Sequence, residues 1–294
     1  MDPSACARST VVKLALTFAV LTYALACHAS PPGRSESAAF YDMGLIFEKS
    51  KMYKDAIEAY KSSIGLSNNF AEAYMRLGAV YSGLGMNREA AEIYRRLIKV
   101  RPDIIEAYKA LGQAYLNTGK HDDAAETLRE LIAMNPADEA ARLALASIYF
   151  RMFRFSDAIE EYRTIIGINP DCSEAYLNLG KSYKVAGNDS KALEAYRKAV
   201  SIRPDEAAYL GIGELYLKSK MYDQSVEACS KAIALKPGYA EAHYSLGIAY
   251  LRLKKHGLAR NEYEILKELD IELGRSLLEK INGQKQERER EANN

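Results

Sequence analysis

Residues 71–104, AEAYMRLGAVYSGLGMNREAAEIYRRLIKVRPDI, decide the reading of the whole chain. Apolar residues fall at Ala73, Leu77, Val80 and Tyr81, then at Ala90, Ala91, Tyr94, Leu97 and Ile98. That spacing gives each of two helices one apolar face. Between them stands Gly85, which has no Cβ and can take the left-handed conformation that ends a helix. Pro102 has no N–H with which to continue the second helix, and Asp103 offers a cap for whatever follows.

The same unit recurs about every 34 residues, in seven copies: 37–70, 71–104, 105–138, 139–172, 173–205, 206–239 and 240–273. Gly44, Gly78, Gly112, Ala146, Gly180, Gly213 and Gly247 share one column. Twelve residues later come Ala56, Ala90, Ala124, Ala158, Ala192, Ser225 and Ala259. Both columns stay small, which predicts a close crossing with Gly or Ala of the first helix facing Ala of the second. A third column is aromatic throughout: Phe47, Tyr81, Tyr115, Tyr149, Tyr183, Tyr216 and Tyr250. Of the 21 tyrosines, 15 fall in three columns, so their abundance reads as packing and not as a platform for sugars or nucleobases. At the turn, Gly119 and Gly187 repeat Gly85, but Lys51, Phe153, Lys220 and Lys254 stand there elsewhere. The left-handed turn is therefore not required of every unit.

These columns resemble the tetratricopeptide repeat, whose pattern runs aromatic, Leu, Gly, then Tyr, Ala, aromatic and Pro. The resemblance covers 237 of 294 residues. It departs from the pattern at Ala146 in place of Gly, at Arg142 and His243 in place of the first aromatic, and at Asn68 and Ile271 in place of Pro. The fifth unit is one residue short, which should shorten one turn. The resemblance implies an all-α fold, an α-solenoid wound as a right-handed superhelix of about seven two-helix units. Leu273, Leu277, Leu278 and Ile281 form one stripe of a helix expected at 272–283, capping the last unit, and the polar tail at 284–294 is expected to be disordered.

A solenoid of this kind serves as a binding surface and not as a catalyst. Nucleic acid is disfavoured as a partner, because 40 basic residues against 39 acidic give no overall basic excess. Cys172 and Cys229 lie nearly two repeats apart, too far for a disulfide, and the four histidines show no ligand spacing. No metal, cofactor or catalytic residue is assigned, and the 36 residues before and 21 after the repeats leave no room for a catalytic domain.

At the start, Arg8 and Lys13 precede an uncharged run from Leu14 to Ala26, ending Ala24-Leu25-Ala26-Cys27. Residues 1–27 read as a secretory signal peptide, too short in its apolar run to span a bilayer. Cys27 stands where a bacterial lipoprotein signal places its lipidated residue, and residues 28–37, with Pro31, Pro32 and Gly33, read as a flexible tether. The expectation is an exported protein of the cell envelope, lipid-anchored at Cys27 and facing the periplasm. Simple cleavage before Cys27 would instead leave a soluble secreted or periplasmic form.

In tetratricopeptide proteins the first helix of each unit lines a concave groove. The resemblance therefore points to Tyr41, Met75, Lys109, Leu143, Leu177, Leu210 and Tyr244, three residues before the small column. One residue after it, Gln113, Ser147, Lys181 and Glu214 join them. Successive Leu143, Leu177 and Leu210 promise an apolar floor. Glu72, Glu106, Glu174 and Glu241 stand on one rim, and Lys49, Arg151, Lys184, Lys218 and Arg252 on the other, an order that the helix macrodipole also favours. Such a groove suits an extended or helical segment of one or more partner proteins. The carboxylate clamp of chaperone-binding members is missing, since starting it at Lys109 gives Gln113, Ala144, Glu174 and Asn178. The expected function is a protein-interaction scaffold of the cell envelope, with a narrower resemblance to repeat lipoproteins that assist outer-membrane assembly, such as type IV pilus pilotins. A structural spacer or the regulatory arm of an enzyme complex is the reading from another class.

Overall fold

The computed structural model describes residues 35–292, with side chains through residue 283; the signal segment, Cys27 and most of the tether lie outside the described residues. Among the described residues there are fifteen α-helices and no strand. The first unit, ending at Pro136, holds three hairpins. They are α1 (Glu36–Lys49) with α2 (Tyr53–Leu66), α3 (Ala71–Gly83) with α4 (Asn87–Val100), and α5 (Ile105–Asn117) with α6 (His121–Met134). The second unit, from Ala137, holds four more and a closing helix. These are α7 (Glu139–Arg151) with α8 (Phe155–Ile168), α9 (Ser173–Val185) with α10 (Asp189–Ile202), α11 (Glu206–Lys218) with α12 (Tyr222–Leu235), α13 (Ala240–Arg252) with α14 (His256–Leu269), and α15 (Ile271–Ala292).

Every hairpin turns through three residues, and the middle one is left-handed in all seven. Gly85, Gly119 and Gly187 have φ of 74° to 78°, while Lys51, Phe153, Lys220 and Lys254 have φ of 59° to 61°. The expectation that the lysine and phenylalanine turns could differ is corrected. In each turn the third residue donates its N–H to the carbonyl of the aromatic column, as Met52 to Phe47, Arg154 to Tyr149 and Lys255 to Tyr250, at 2.8 to 2.9 Å. Closing that six-residue ring requires a left-handed residue whatever its side chain.

The small column also has a different cause from the one expected. At Gly44, Gly78, Gly112, Gly180 and Gly213 the nearest group is the side chain one helical turn beyond the Ala column, and at Gly247 it is Leu277 of the closing helix. A Cβ on Gly44, Gly78 or Gly180 would stand 2.4 to 2.6 Å from the ring of Tyr60, Tyr94 or Tyr196. Those tyrosines are buried, so glycine makes room for an aromatic ring lying across the first helix. At Gly112 the facing residue is Leu128, 3.6 Å away, and the fit is ordinary.

The missing residue of the fifth unit lies in the loop before α11, which runs 203–205, where the other repeat boundaries have four residues. This loop places Asp205 at the N-cap, accepting from the N–H of Ala208 at 2.8 Å, whereas Asp103 and Asp171 lie one residue too early to cap α5 and α9. The closing helix packs Leu277 and Ile281 beside Leu251, Ala259 and Leu266, with Tyr244, Ile248 and Leu273 around them. Burying Leu277 alone contributes roughly 2 kcal/mol. The helix does not stop near residue 283 but continues to Ala292. The run QKQERERE at 284–291 consists of strong helix formers without glycine or proline, so nothing in it ends the helix.

Candidate functional site

Within the second unit, successive first helices stand side by side. Lys218 Nζ at the end of α11 lies 2.6 Å from Asp189 Oδ2 at the start of α10, and Lys184 near the end of α9 donates to Glu214 on α11. Repeats are thus linked across their turns as well as through their cores.

Of the eleven residues expected to face a partner, Tyr41, Met75, Lys109 and Gln113 belong to the first unit and the rest to the second. In the first unit, Tyr41 is half-buried, its ring 5.1 Å from that of Phe70 and 5.9 Å from that of Tyr60. Met75 is half-buried against the core, and Lys109 and Gln113 are exposed. Gln113 donates to Asn117 and Asn117 to Asn87, at 2.9 and 3.0 Å, a short amide ladder. Tyr60 donates to Glu48 at 2.7 Å; burial and that carboxylate push its phenol above the ordinary range.

In the second unit, Leu143, Leu177, Lys181, Glu214 and Tyr244 are half-buried and Ser147 is exposed. Leu210 is only 7% exposed. It packs with Ala232 and Ala242 beside Tyr209, Ile233 and Tyr239, so it belongs to the joint between α11, α12 and α13 and not to an open floor. Its helix sits tightly: a Cβ on Gly211 would come within 2.7 Å of the Tyr196 ring. The other repeats hold Asp42, Arg76, Ala110, Ala144, Asn178 and Ser245 at that column, so this packing is particular to the unit that follows the short one. The apolar floor read from three successive leucines is therefore interrupted at its third member.

On the first-helix face of the second unit a cavity of about 530 Å³ opens between α11, α13 and α15. Glu214, Leu217, Tyr244, Ile248, Arg252 and Lys280 line it. Tyr244 Oη lies 3.1 Å from Ser276 Oγ, which ties the closing helix to its wall. Of these residues, sequence reasoning named only Glu214 and Tyr244 among the site residues. Leu217 lies a helical turn beyond the expected column, and Lys280 lies on the closing helix, which was read as a cap alone. A larger cavity, about 680 Å³, opens on the second-helix side between α8, α9 and α10, lined by Arg163, Tyr176, Tyr183, Lys191, Glu194 and Lys198. No column of the repeat reading pointed there.

Two departures from the repeat pattern turn out to be paired. Arg142 Nη1 lies 2.7 Å from Glu161, and His243 Nδ1 lies 2.6 Å from Glu262, both across 19 residues. The other repeats hold Phe40, Tyr74, Tyr108, Tyr176 and Tyr209 at the first of these columns. At the second they hold Ala59, Ile93, Thr127, Ala195 and Ala228. Where the aromatic is replaced by a cationic or ionisable base, the facing residue becomes glutamate. His243 Nε2 also faces the Pro237 carbonyl at 2.9 Å, so both ring nitrogens are engaged.

Chemistry that needs a reactive group finds little support here. Burial pushes the Cys229 thiol up to about 12, and burial followed by the Glu139 hydrogen bond raises that of Cys172, so neither is an activated nucleophile. Among the described residues no cluster of three or more His, Cys, Asp or Glu is placed to hold a metal, and no helix is long and apolar enough to cross a membrane.

The family model for the tetratricopeptide repeat protein 21 C-terminal ARM domain matches residues 86–246, and that for the tetratricopeptide repeat matches residues 37–70. Among solved structures the chain is similar to a MamA protein, 27% identical, with 59% of this chain and 94% of that chain covered at a TM-score of 0.52. It shares the fold of PilF of Pseudomonas aeruginosa, 18% identical, 68% and 91% covered, TM-score 0.57. It also shares the fold of YrrB, described as a TPR protein with an unusual peptide-binding site, 21% identical, 63% and 92% covered, TM-score 0.51. No curated protein matches the chain significantly.

Proposed function

Because the chain belongs to the tetratricopeptide-repeat family, we propose that it is a non-catalytic scaffold holding an extended or helical segment of a partner protein against its first-helix face. The observation that carries this reading is the cavity between α11, α13 and α15. It combines apolar Leu217 and Ile248 with Tyr244 and with charges of both signs, Glu214 against Arg252 and Lys280. That mixture suits a polypeptide, whose side chains and backbone offer both kinds of contact, better than a phosphate or a sugar. A photo-crosslinker at Ile248, with a control at Glu227 on the exposed side of α12, tests it in cells. A discrete protein captured only from Ile248 supports the scaffold. Equal capture from both positions would favour a structural spacer or the arm of a larger complex.

The proposed setting is the cell envelope, with export directed by residues 1–27 and a lipid anchor at Cys27, and the proposed use there is assembly of an outer-membrane or type IV pilus complex. What supports it is the charged start, the uncharged run Leu14 to Ala26 and the cysteine that follows. Mass spectrometry of the mature N-terminus decides the anchor. A diacylglyceryl thioether on Cys27 supports it, and a free thiol or an uncleaved chain refutes it.

A further inference from the structure

In the second unit cations gather at one edge and carboxylates at the other, with Asp157 and Asp189 among the former and Arg203 and Lys236 among the latter. The hairpin turns of its four repeats bring Arg151 and Arg154, Lys184 and Lys191, Lys218 and Lys220, and Arg252, Lys254 and Lys255 to one edge. The loops between repeats bring Asp171, Glu174, Asp205, Glu206, Glu241 and Asp270 to the other. The Lys218–Asp189 contact shows that neighbouring turns adjoin.

The helix macrodipole accounts for only part of this. It favours Arg151, Lys184, Lys218 and Arg252, which close first helices. It disfavours cations where a second helix begins, yet Arg154 and Lys255 occupy the N-caps of α8 and α14, and Lys191 stands in the first turn of α10. Lys220 and Lys254 hold left-handed turn positions at which glycine would be less strained. Asp157 and Asp189 offset Arg154 and Lys218, at 2.6 Å each. Among the described residues, Arg151, Lys220, Arg252, Lys254 and Lys255 make no salt bridge.

The same turns expose apolar side chains. Phe153 is 80% exposed at a φ of 59°, flanked by Arg151 and Arg154, and its ring stacks edge-on against Phe155, 6.1 Å away. Val185 is 55% exposed and Met221 42% exposed, one on each of the next two turns. The turn needs a left-handed residue, but glycine would meet that need with less strain, so the phenylalanine at this position is not required by the turn. The acidic edge also exposes Ile168, Leu235, Leu269 and Ile271, but these stand among carboxylates, which repel anions, so apolar exposure coincides with a cationic edge only at the turns.

We propose that the turn edge of the second unit, with Phe153 at its tip, docks onto an anionic lipid bilayer surface. A protein interface needs a contiguous apolar centre ringed by polar groups. Here single apolar side chains on three of the four turns stand among cations, the arrangement that suits a bilayer interface, where each apolar tip enters the acyl boundary and each cation meets headgroup phosphates. The docking would lay the second unit edge-on to the membrane and leave its first-helix face open from the side. It stands without the anchor at Cys27.

The test uses the full chain with vesicles of phosphatidylcholine alone and of equal parts phosphatidylglycerol and phosphatidylcholine, reading the gain in sedimented protein that phosphatidylglycerol brings. Every variant shares the same first 34 residues, so any contribution from them cancels. In the triple variant Phe153→Gly, Lys220→Gly, Lys254→Gly each change also relieves a left-handed residue, so the protein melts at or above the wild-type temperature. Its phosphatidylglycerol-dependent affinity should nevertheless fall about 30-fold or more, about fivefold for each lysine lost, with the phenylalanine in addition. Arg203→Glu with Lys236→Glu, on the opposite edge, should leave it within about twofold. The proposal is overturned if the triple variant binds as wild type, if the opposite-edge pair loses as much, or if phosphatidylglycerol brings no gain. It is equally overturned if polyglutamate, and not the vesicles, is what the lysine edge captures.

Discussion

The pairing of Arg142 with Glu161 and of His243 with Glu262 turns the chain into its own alignment, and the second pair gives the sharper test. His243 and Glu262 have side chains 6% and 12% exposed and meet at 2.6 Å. Glu262→Ala leaves the imidazole buried with one nitrogen unpartnered, and His243→Tyr leaves a buried carboxyl without its base. Each should cost about 3–5 kcal/mol, the usual penalty for removing one member of a buried pair. The double variant carries at both positions what neighbouring repeats carry, since Tyr74 and Tyr108 pack at the first column and Ala59, Ala195 and Ala228 at the second. Loss of volume at one position offsets gain at the other, so the double should lie within about 1 kcal/mol of wild type or be more stable. The coupling between the two changes is then at least about 5 kcal/mol, far above the few tenths expected of independent sites. Because each repeat contacts mainly its neighbours, the single variants should fray α13, α14 and α15 before the rest of the second unit. Urea titration with hydrogen exchange read on those helices measures both quantities. If the double variant loses the sum of the singles, or if Glu262→Ala costs under about 1 kcal/mol, the compensated-pair argument fails.

At the hairpin turns, Lys51→Gly, Lys220→Gly and Lys254→Gly should each raise stability by about 0.5–1 kcal/mol, and Gly85→Ala or Gly187→Ala should lower it by about 1 kcal/mol, all read as shifts in the urea midpoint. The small column separates by what it faces: Gly78→Ala and Gly180→Ala should destabilise by about 1–3 kcal/mol, having a tyrosine ring in the way. Gly112→Ala should be neutral or stabilising by up to about 1 kcal/mol, since Leu128 leaves ordinary room. Cys229 gives a pH dependence. Its thiol is held protonated in the folded chain, so its contribution is fully present below about pH 9 and is lost as pH rises toward about 12. Burial of Tyr196 acts in the same direction. Cys229→Ala should therefore flatten the alkaline limb of a stability-versus-pH curve, and an unchanged limb would refute that assignment.

The helix count, the hairpin order and the aromatic column were legible because periodic burial writes itself into periodic composition. What faces what was not. A small residue announces a close approach but not the partner, and Gly44, Gly78 and Gly180 meet tyrosine rings and not the facing alanines. The turns misled for the opposite reason. Lys51, Phe153, Lys220 and Lys254 hide a left-handed backbone behind ordinary side chains. Yet the unvarying three-residue spacing between helices already carried the answer, because equal connections closing on equal hydrogen bonds must share a conformation. Leu210 shows where column reading stops working. Its column is half-buried or exposed in the other repeats, but one residue removed from the loop at 203–205 accompanies a tighter seat for α11, and Leu210 is buried in the joint. A deletion in a repeat therefore changes the face of the unit that follows it. For this chain the place to look for a partner accordingly moves away from the leucine floor and toward Tyr244, Ile248 and Lys280, where the stack ends and its closing helix leaves a wall uncovered.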